Sequence, residues 1–138
     1  MKRALFLSYD GLTDPLGQSQ ILPYVAGLAA RGYDMTILSC DKPERYAARA
    51  DTLAAQVAAA GVRWVSIPYR RTPRGLAQWG NTRRLRLAAA ALWRERPFDL
   101  LHARSVLAAE AAFTLQTAHG APVVYDMRGF WAAERVEG

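Results

Sequence analysis

With one cysteine, Cys40, in 138 residues, the sequence offers no internal disulfide. No His, Cys or carboxylate cluster stands at metal-ligand spacing around that thiol, so no metal site is expected, and Cys40 reads as a small buried residue at a strand end. Long apolar runs are missing too. Nothing approaches the roughly 20 residues that cross a bilayer, and segment 1–9 is too short, and runs too directly into a loop, to be a signal peptide. The expectation is a soluble, cytoplasmic chain. Internal repeats and low-complexity linkers are also lacking. With 51% apolar residues the chain can build one real core, but it is too short for two ordinary domains, so residues 1–138 are read as a single α/β domain.

Lysine is scarce: all but two of the 18 basic residues are arginine, and the formal net charge is +6. The excess is local. Ten arginines lie between Arg63 and Arg104 against Glu95 and Asp99 alone, while the remainder of the chain is slightly acidic. Such a stretch suits phosphates, nucleic acid or an anionic membrane surface, and a solvated helix face in an arginine-rich protein is the plainer alternative.

The apolar pattern alternates strand and helix. Segment 4–9 (ALFLSY) reads as a buried parallel strand, followed by a Gly/Asp/Pro-rich loop and a helix starting at Gln18 or Ser19, with Ser19 as N-cap and Gly32 as the stop. Further strands are expected at 35–40, 62–67, 98–103 and 123–126, with helices at 44–60, 76–94 and 106–118. The helices should stop at Gly61, before Pro97 and at Gly120. Alternation of this kind implies right-handed crossovers and a parallel sheet with helices on both faces, in strand order 3-2-1-4-5: a three-layer, Rossmann-like fold.

Ligands of such sheets bind beyond the carboxyl ends of the strands, where the order reverses. That selects the loop 10–18, then His102 and Arg104, then Asp126, Arg128 and Gly129. Asp41 ends the second strand where a ribose-binding carboxylate would stand, but Gly11 and Gly17 are too far apart for the tight turn of a dinucleotide site, and Pro15 interrupts them. A receiver domain is excluded because the third strand ends in Ser66, Ile67 and Pro68, without a phospho-accepting aspartate. No P-loop pattern is present.

Three stretches carry a resemblance. DGLTDPLGQSQILPYVAGLAARGYDMTILS resembles the start of the family 4 glycosyltransferases, DLLHARS resembles their fourth strand with its histidine, and VVYDMRGFWAAERVEG is similar to a subgroup with D-x-R-G-x-W…E after strand five. The resemblance implies a GT-B enzyme that transfers a sugar with retention and without an obligatory metal or other cofactor. Acceptors would be bound mainly by the N-terminal domain, and the nucleotide-sugar mainly by a C-terminal one. This chain is similar to the N-terminal domain only, so it is expected to be a piece of a longer bacterial protein of glycan assembly, inactive by itself, with a glycan or lipid-linked acceptor and no nucleic acid as partner. A non-catalytic ligand-binding or membrane-docking module is the alternative.

On that resemblance the substrate-binding candidates are Gly11, Asp14, Gly17, Gln18, Ser19, Arg104, Arg128, Gly129 and Trp131, and the catalytic candidates are Asp126 and His102. Each has a structural alternative. The loop around Gly17 brings backbone up to a diphosphate or sugar, or it is a plain helix-capping turn. His102 hydrogen-bonds a sugar hydroxyl or phosphate, or it is a satisfied core residue. Asp126 stands where many relatives carry a histidine, and either accepts a proton from the acceptor or caps a turn. Arg128 meets a phosphate or pairs with Asp126 or Glu134, and Trp131 is an acceptor platform or a core aromatic. Arg70, Arg71, Arg74, Arg83, Arg84 and Arg86 form the candidate membrane or anion patch, which would place the protein peripherally on the inner face of the plasma membrane. Strand five is expected to be an exposed edge inviting self-association.

Overall fold

A computed structural model describes residues 2–71 and 76–126. Five parallel strands, β1 (Arg3–Ser8), β2 (Asp34–Asp41), β3 (Arg63–Pro68), β4 (Leu100–Arg104) and β5 (Val123–Asp126), form one sheet in the order β3-β2-β1-β4-β5. Helices α1 (Leu22–Ala30), α2 (Pro43–Ala59), α3 (Ala77–Glu95) and α4 (Val106–His119) connect them. This is the order that the alternation predicts.

Residues alternate between the two sheet faces, and each face buries its own core. On one, Leu5, Leu7, Leu38, Leu101 and Ala103 pack against Leu85, Ala89 and Leu92 of α3 and Ala108, Ala112 and Leu115 of α4. On the other, Ala4, Phe6, Met35 and Ile37 meet Ile21, Val25 and Val57. Both faces of the central strand are therefore dry, which is why β1 reads as a continuous apolar run rather than an alternating one. The glycines read as helix stops, Gly32, Gly61 and Gly120, all have positive φ. At Gly120 the reason is plain: its N–H reaches back to the Gln116 carbonyl at 2.7 Å in a left-handed turn that a side chain would oppose.

Two boundaries differ from expectation by more than a residue. β4 begins at Leu100 rather than at Phe98, whose ring is buried against Trp93 instead. More consequentially, Ser19 is not an N-cap. Helical backbone is already present at Leu16, and Gly17–Ile21 form a π-helical turn that runs into α1. The Gln18 N–H is satisfied by the Asp14 carbonyl at 3.1 Å, so the loop's own backbone takes the place of a serine cap, and Ser19 is exposed.

That early start is possible because residue 17 has no side chain. A Cβ there would lie 2.6 Å from the Leu12 carbonyl oxygen and 2.7 Å from the Leu12 Cα, and closer still to the Gly11 carbonyl oxygen. Gly27, in the middle of α1, faces open space. Gly17→Ala should therefore cost about 2 kcal/mol or more, as backbone atoms cannot step aside cheaply, whereas Gly27→Ala should be neutral or stabilise by up to about 1 kcal/mol through helix propensity. Urea denaturation of both variants checks the contrast, and equal effects would contradict the packing described.

Candidate functional site

The loop between β1 and the π-helical turn is held from below by one carboxylate. Asp41, 1% exposed at the end of β2, accepts hydrogen bonds at Oδ1 from the Thr13 N–H and hydroxyl, both at 2.9 Å. At Oδ2 it accepts from the hydroxyls of Ser39 (2.6 Å) and Ser66 (2.5 Å). Both oxygens are thus committed to holding three chain segments together, which leaves the ribose-type role considered for this position without a free acceptor. Gly11 passes so close that a Cβ on it would lie 2.7 Å from Oδ1.

The other loop candidates are drawn into the same scaffold. Asp14 accepts the Gly11 N–H at 3.3 Å and pairs with Arg45 at 2.7 Å, with the Lys42 ammonium 4.0 Å away. The Gln18 side-chain amide donates to the Thr13 carbonyl at 3.3 Å. Ser19, exposed, is the one loop-side candidate whose side chain points away from this network. Cys40, beside Asp41, is buried and free, and burial first and the Asp41 charge second push its thiol up to about 12, which makes it chemically inert at neutral pH.

Across the switch point, β4 presents His102 and Arg104, 6% and 4% exposed, on the α1 face of the sheet. The imidazole stacks on Phe6 at 4.6 Å between centroids and meets the Tyr24 ring edge-on at 5.3 Å. Arg104 donates to the Gln20 side-chain carbonyl at 2.6 Å. Backbone register sets Arg104 between Ser8 of β1 and Asp126 of β5. The structure therefore gathers His102 and Arg104 with two residues that sequence reading passed over, Gln20 and Tyr24. Their spacing of one helical turn, which sets both on one side of the helix, is the signal that could have found them.

Ser105 was also overlooked. It adopts φ 82°, ψ 161°, a region almost reserved for glycine, at the junction of β4 with α4. Its buried hydroxyl has no hydrogen-bond partner among the described residues. Strain of this kind costs of order 1–3 kcal/mol and concentrates at functional sites. No sequence pattern marks it.

Arg128, Gly129 and Trp131 lie outside the described residues, as does Arg74. The remaining members of the basic patch are dispersed. Arg84 faces inward and donates to the Asn81 side-chain carbonyl, within a buried network in which Asn81 also accepts the Arg70 N–H at 3.0 Å and donates to Tyr9 at 3.2 Å. Its placement beside Asn81 follows from their separation of three on α3, and it corrects the reading of Arg84 as a surface cation. Arg71 pairs with Glu44 at 2.6 Å, Arg86 stands 3.6 Å from Glu110, and Arg83 lies over the Trp79 ring at 5.8 Å.

Among the described residues no group of His, Cys, Asp and Glu could hold a metal ion, and no helix is long and apolar enough to cross a membrane. Among the described residues β5 is a sheet edge, with Val124 45% exposed, and segment 127–138 lies outside them.

Solved structures share this architecture. The chain superposes on the C-terminal domain of the PF1911 hydrogenase from Pyrococcus furiosus with a TM-score of 0.70 at 18% identity, covering 91% of both chains. On CalG4, the calicheamicin glycosyltransferase, the TM-score is 0.69 at 21% identity, with 94% of this chain and 33% of that one covered. On LpCGTa, solved in complex with UDP, it is 0.64 at 18% identity, with 91% and 29% covered. The chain thus spans about a third of the two glycosyltransferases. No curated protein matches the sequence significantly. The fold is that of one Rossmann-like half of a GT-B protein. A family model described as "glycosyl transferase 4-like domain" matches residues 17–138, and the chain belongs to that family.

The anchoring role of Asp41 is directly testable. Asp41→Ala strands the N–H and hydroxyl of Thr13 and two serine hydroxyls, and should lower stability by about 3 kcal/mol. A variant as stable as the parent in urea would show that the loop is held by something else.

Proposed function

We propose that this chain is the acceptor-side domain of a retaining glycosyltransferase, which moves a hexosyl group from a nucleotide-sugar to a glycan or lipid-linked acceptor. The observation that carries this reading is the family match over residues 17–138. Its support in the site is the meeting of His102, Arg104 and Gln20 at the switch point of the sheet, where ligands of such folds bind. On this reading the nucleotide-sugar is held mainly by a second Rossmann-like domain, as the one-third coverage of CalG4 and LpCGTa suggests.

In the proposed division of labour, Arg104 is a fixed cation toward donor phosphates or acceptor hydroxyls, held in place by Gln20. His102, clamped between Phe6 and Tyr24, is a hydrogen-bonding group that cannot swing away. Asp126, at the end of β5, is the proposed acceptor of the acceptor's proton. Arg128, Gly129 and Trp131 extend the acceptor side, and a reversible association with the inner membrane surface belongs to the same proposal for a lipid-linked acceptor. Ion pairing of Arg71, the spacing of Arg86 against Glu110 and the inward turn of Arg84 reduce what the basic stretch can contribute to that association.

Two measurements test the reading. Calorimetry of the 138-residue chain with common nucleotide-sugars should register weak binding or none, and micromolar affinity would move the donor site into this domain. In the full-length enzyme, Asp126→Asn should lower turnover by about a hundredfold or more if Asp126 takes the proton, with the unfolding transition unchanged. Turnover close to normal would reduce Asp126 to a structural residue.

A further inference from the structure

A cavity of about 410 Å³ opens between the first half of α3 and the start of α4, lined by Gln78, Trp79, Thr82, Arg86, Leu107 and Glu110. Both helices leave the carboxyl edge of the sheet, so the cavity opens at the same end of the domain as the switch point. Trp79 is 63% exposed, the most exposed aromatic side chain among the described residues.

We infer that this groove is a subsite for a neutral pyranose ring of the acceptor, with Trp79 as its stacking platform. The inference rests on the reading of the chain as an acceptor-side domain and names where one sugar unit sits. A pyranose offers an apolar face of axial C–H bonds and a rim of hydroxyls that each donate and accept. The groove answers both. The indole, 63% exposed with Arg83 over its ring at 5.8 Å, supplies a broad apolar plane bordered by Leu107. Glu110 is an acceptor only, and Arg86 a donor only. Their charged atoms stand 3.6 Å apart, too far for a proper hydrogen bond, so a hydroxyl or a vicinal pair of hydroxyls can give a proton to one and take one from the other. The Thr82 hydroxyl spends its proton on the carbonyls of Gln78 and Trp79, at 3.0 and 2.9 Å, and turns lone pairs outward. The Gln78 amide supplies both a donor and an acceptor. The volume lies within the range of small-ligand sites.

The charge balance favours a sugar over a lipid surface. The lining holds one cation, Arg86, and one anion, Glu110, and Arg83 over the Trp79 ring is the single uncompensated charge beside it, a weak attraction for anionic headgroups.

The test follows the indole N–H signals of the 138-residue chain by NMR during titration with methyl glucoside, methyl mannoside and N-acetylglucosamine, with the Trp79 signal assigned through Trp79→Phe. The Trp79 signal should move saturably at millimolar concentrations of at least one probe, with those of Trp64 and Trp93 unmoved. Trp79→Ala and Glu110→Gln, both at exposed side chains, should keep the fold and raise the half-saturating concentration by about tenfold or more. Absence of saturable movement with all three sugars overturns the inference, as does a Trp79 signal that responds to phosphatidylglycerol vesicles and to none of the sugars. In the full-length enzyme, Trp79→Ala should raise the acceptor KM and leave kcat in place. An active enzyme with unchanged KM removes the subsite and leaves the transfer reading standing. An inactive enzyme whose Trp79 still answers to sugars does the reverse.

Discussion

The buried carboxylate of Asp41 is the joint on which the carboxyl end of the sheet depends. Four hydrogen bonds from Thr13, Ser39 and Ser66 tie the first loop, β2 and β3 to one point. A carboxylate taken out of water is tolerable only when its lone pairs are met, and here neutral donors meet them all. The cost of burying the charge is offset by organising a loop that has no regular backbone pairing of its own. Asp14 repeats the device nearer the surface, where Arg45 carries the opposite charge. The loop is therefore a rigid piece of scaffold that sets the height and direction of the helix after it.

Much of this fold was legible because a buried parallel sheet writes itself in apolar runs separated by helical stripes and glycine stops. Strand order and the stops at Gly32, Gly61 and Gly120 needed only that periodicity. The site was legible only in part. His102 and Arg104 could be found from their place at a strand end, but Gln20 and Tyr24 depend on the rotation of a helix about its axis, which a misplaced start hides. At Asp41 the wide glycine spacing argues against a ribose, but the residue's actual task stays hidden, since nothing local says that Ser39, Ser66 and Thr13 converge on it from three elements. Ser105 could not be foreseen at all, because its backbone angle is imposed by the sheet and α4 around it.

The arginine-rich stretch carries a similar lesson. Counting charges along the chain locates an excess, but the helix distributes it around its circumference. Arg84 goes into a network with Asn81 and Tyr9 that fastens the start of α3 to the end of β1, while Arg83 covers an indole. Ten like charges in sequence thereby become several separate local jobs, and the field left over is smaller than the count suggests.

The π-helical turn at Gly17–Ile21 has a consequence for how this domain tolerates change in length. A π turn holds one residue more than an α turn would between the same two points, so each residue of α1 is set back by about 100° relative to a purely α-helical start. That phase is what directs Gln20 and Tyr24 toward β4 and Val25 into the core. Relaxation of the turn to ordinary helix at unchanged length would rotate the whole of α1, taking Gln20 away from Arg104 and Val25 from the sheet, whereas loss of Gln18 or Ser19 would let an α turn span the same two points and leave α1 where it is. The segment is a gear with one tooth too many: a one-residue deletion within it is absorbed, and a change that forces the turn to α geometry at full length alters every contact downstream of it.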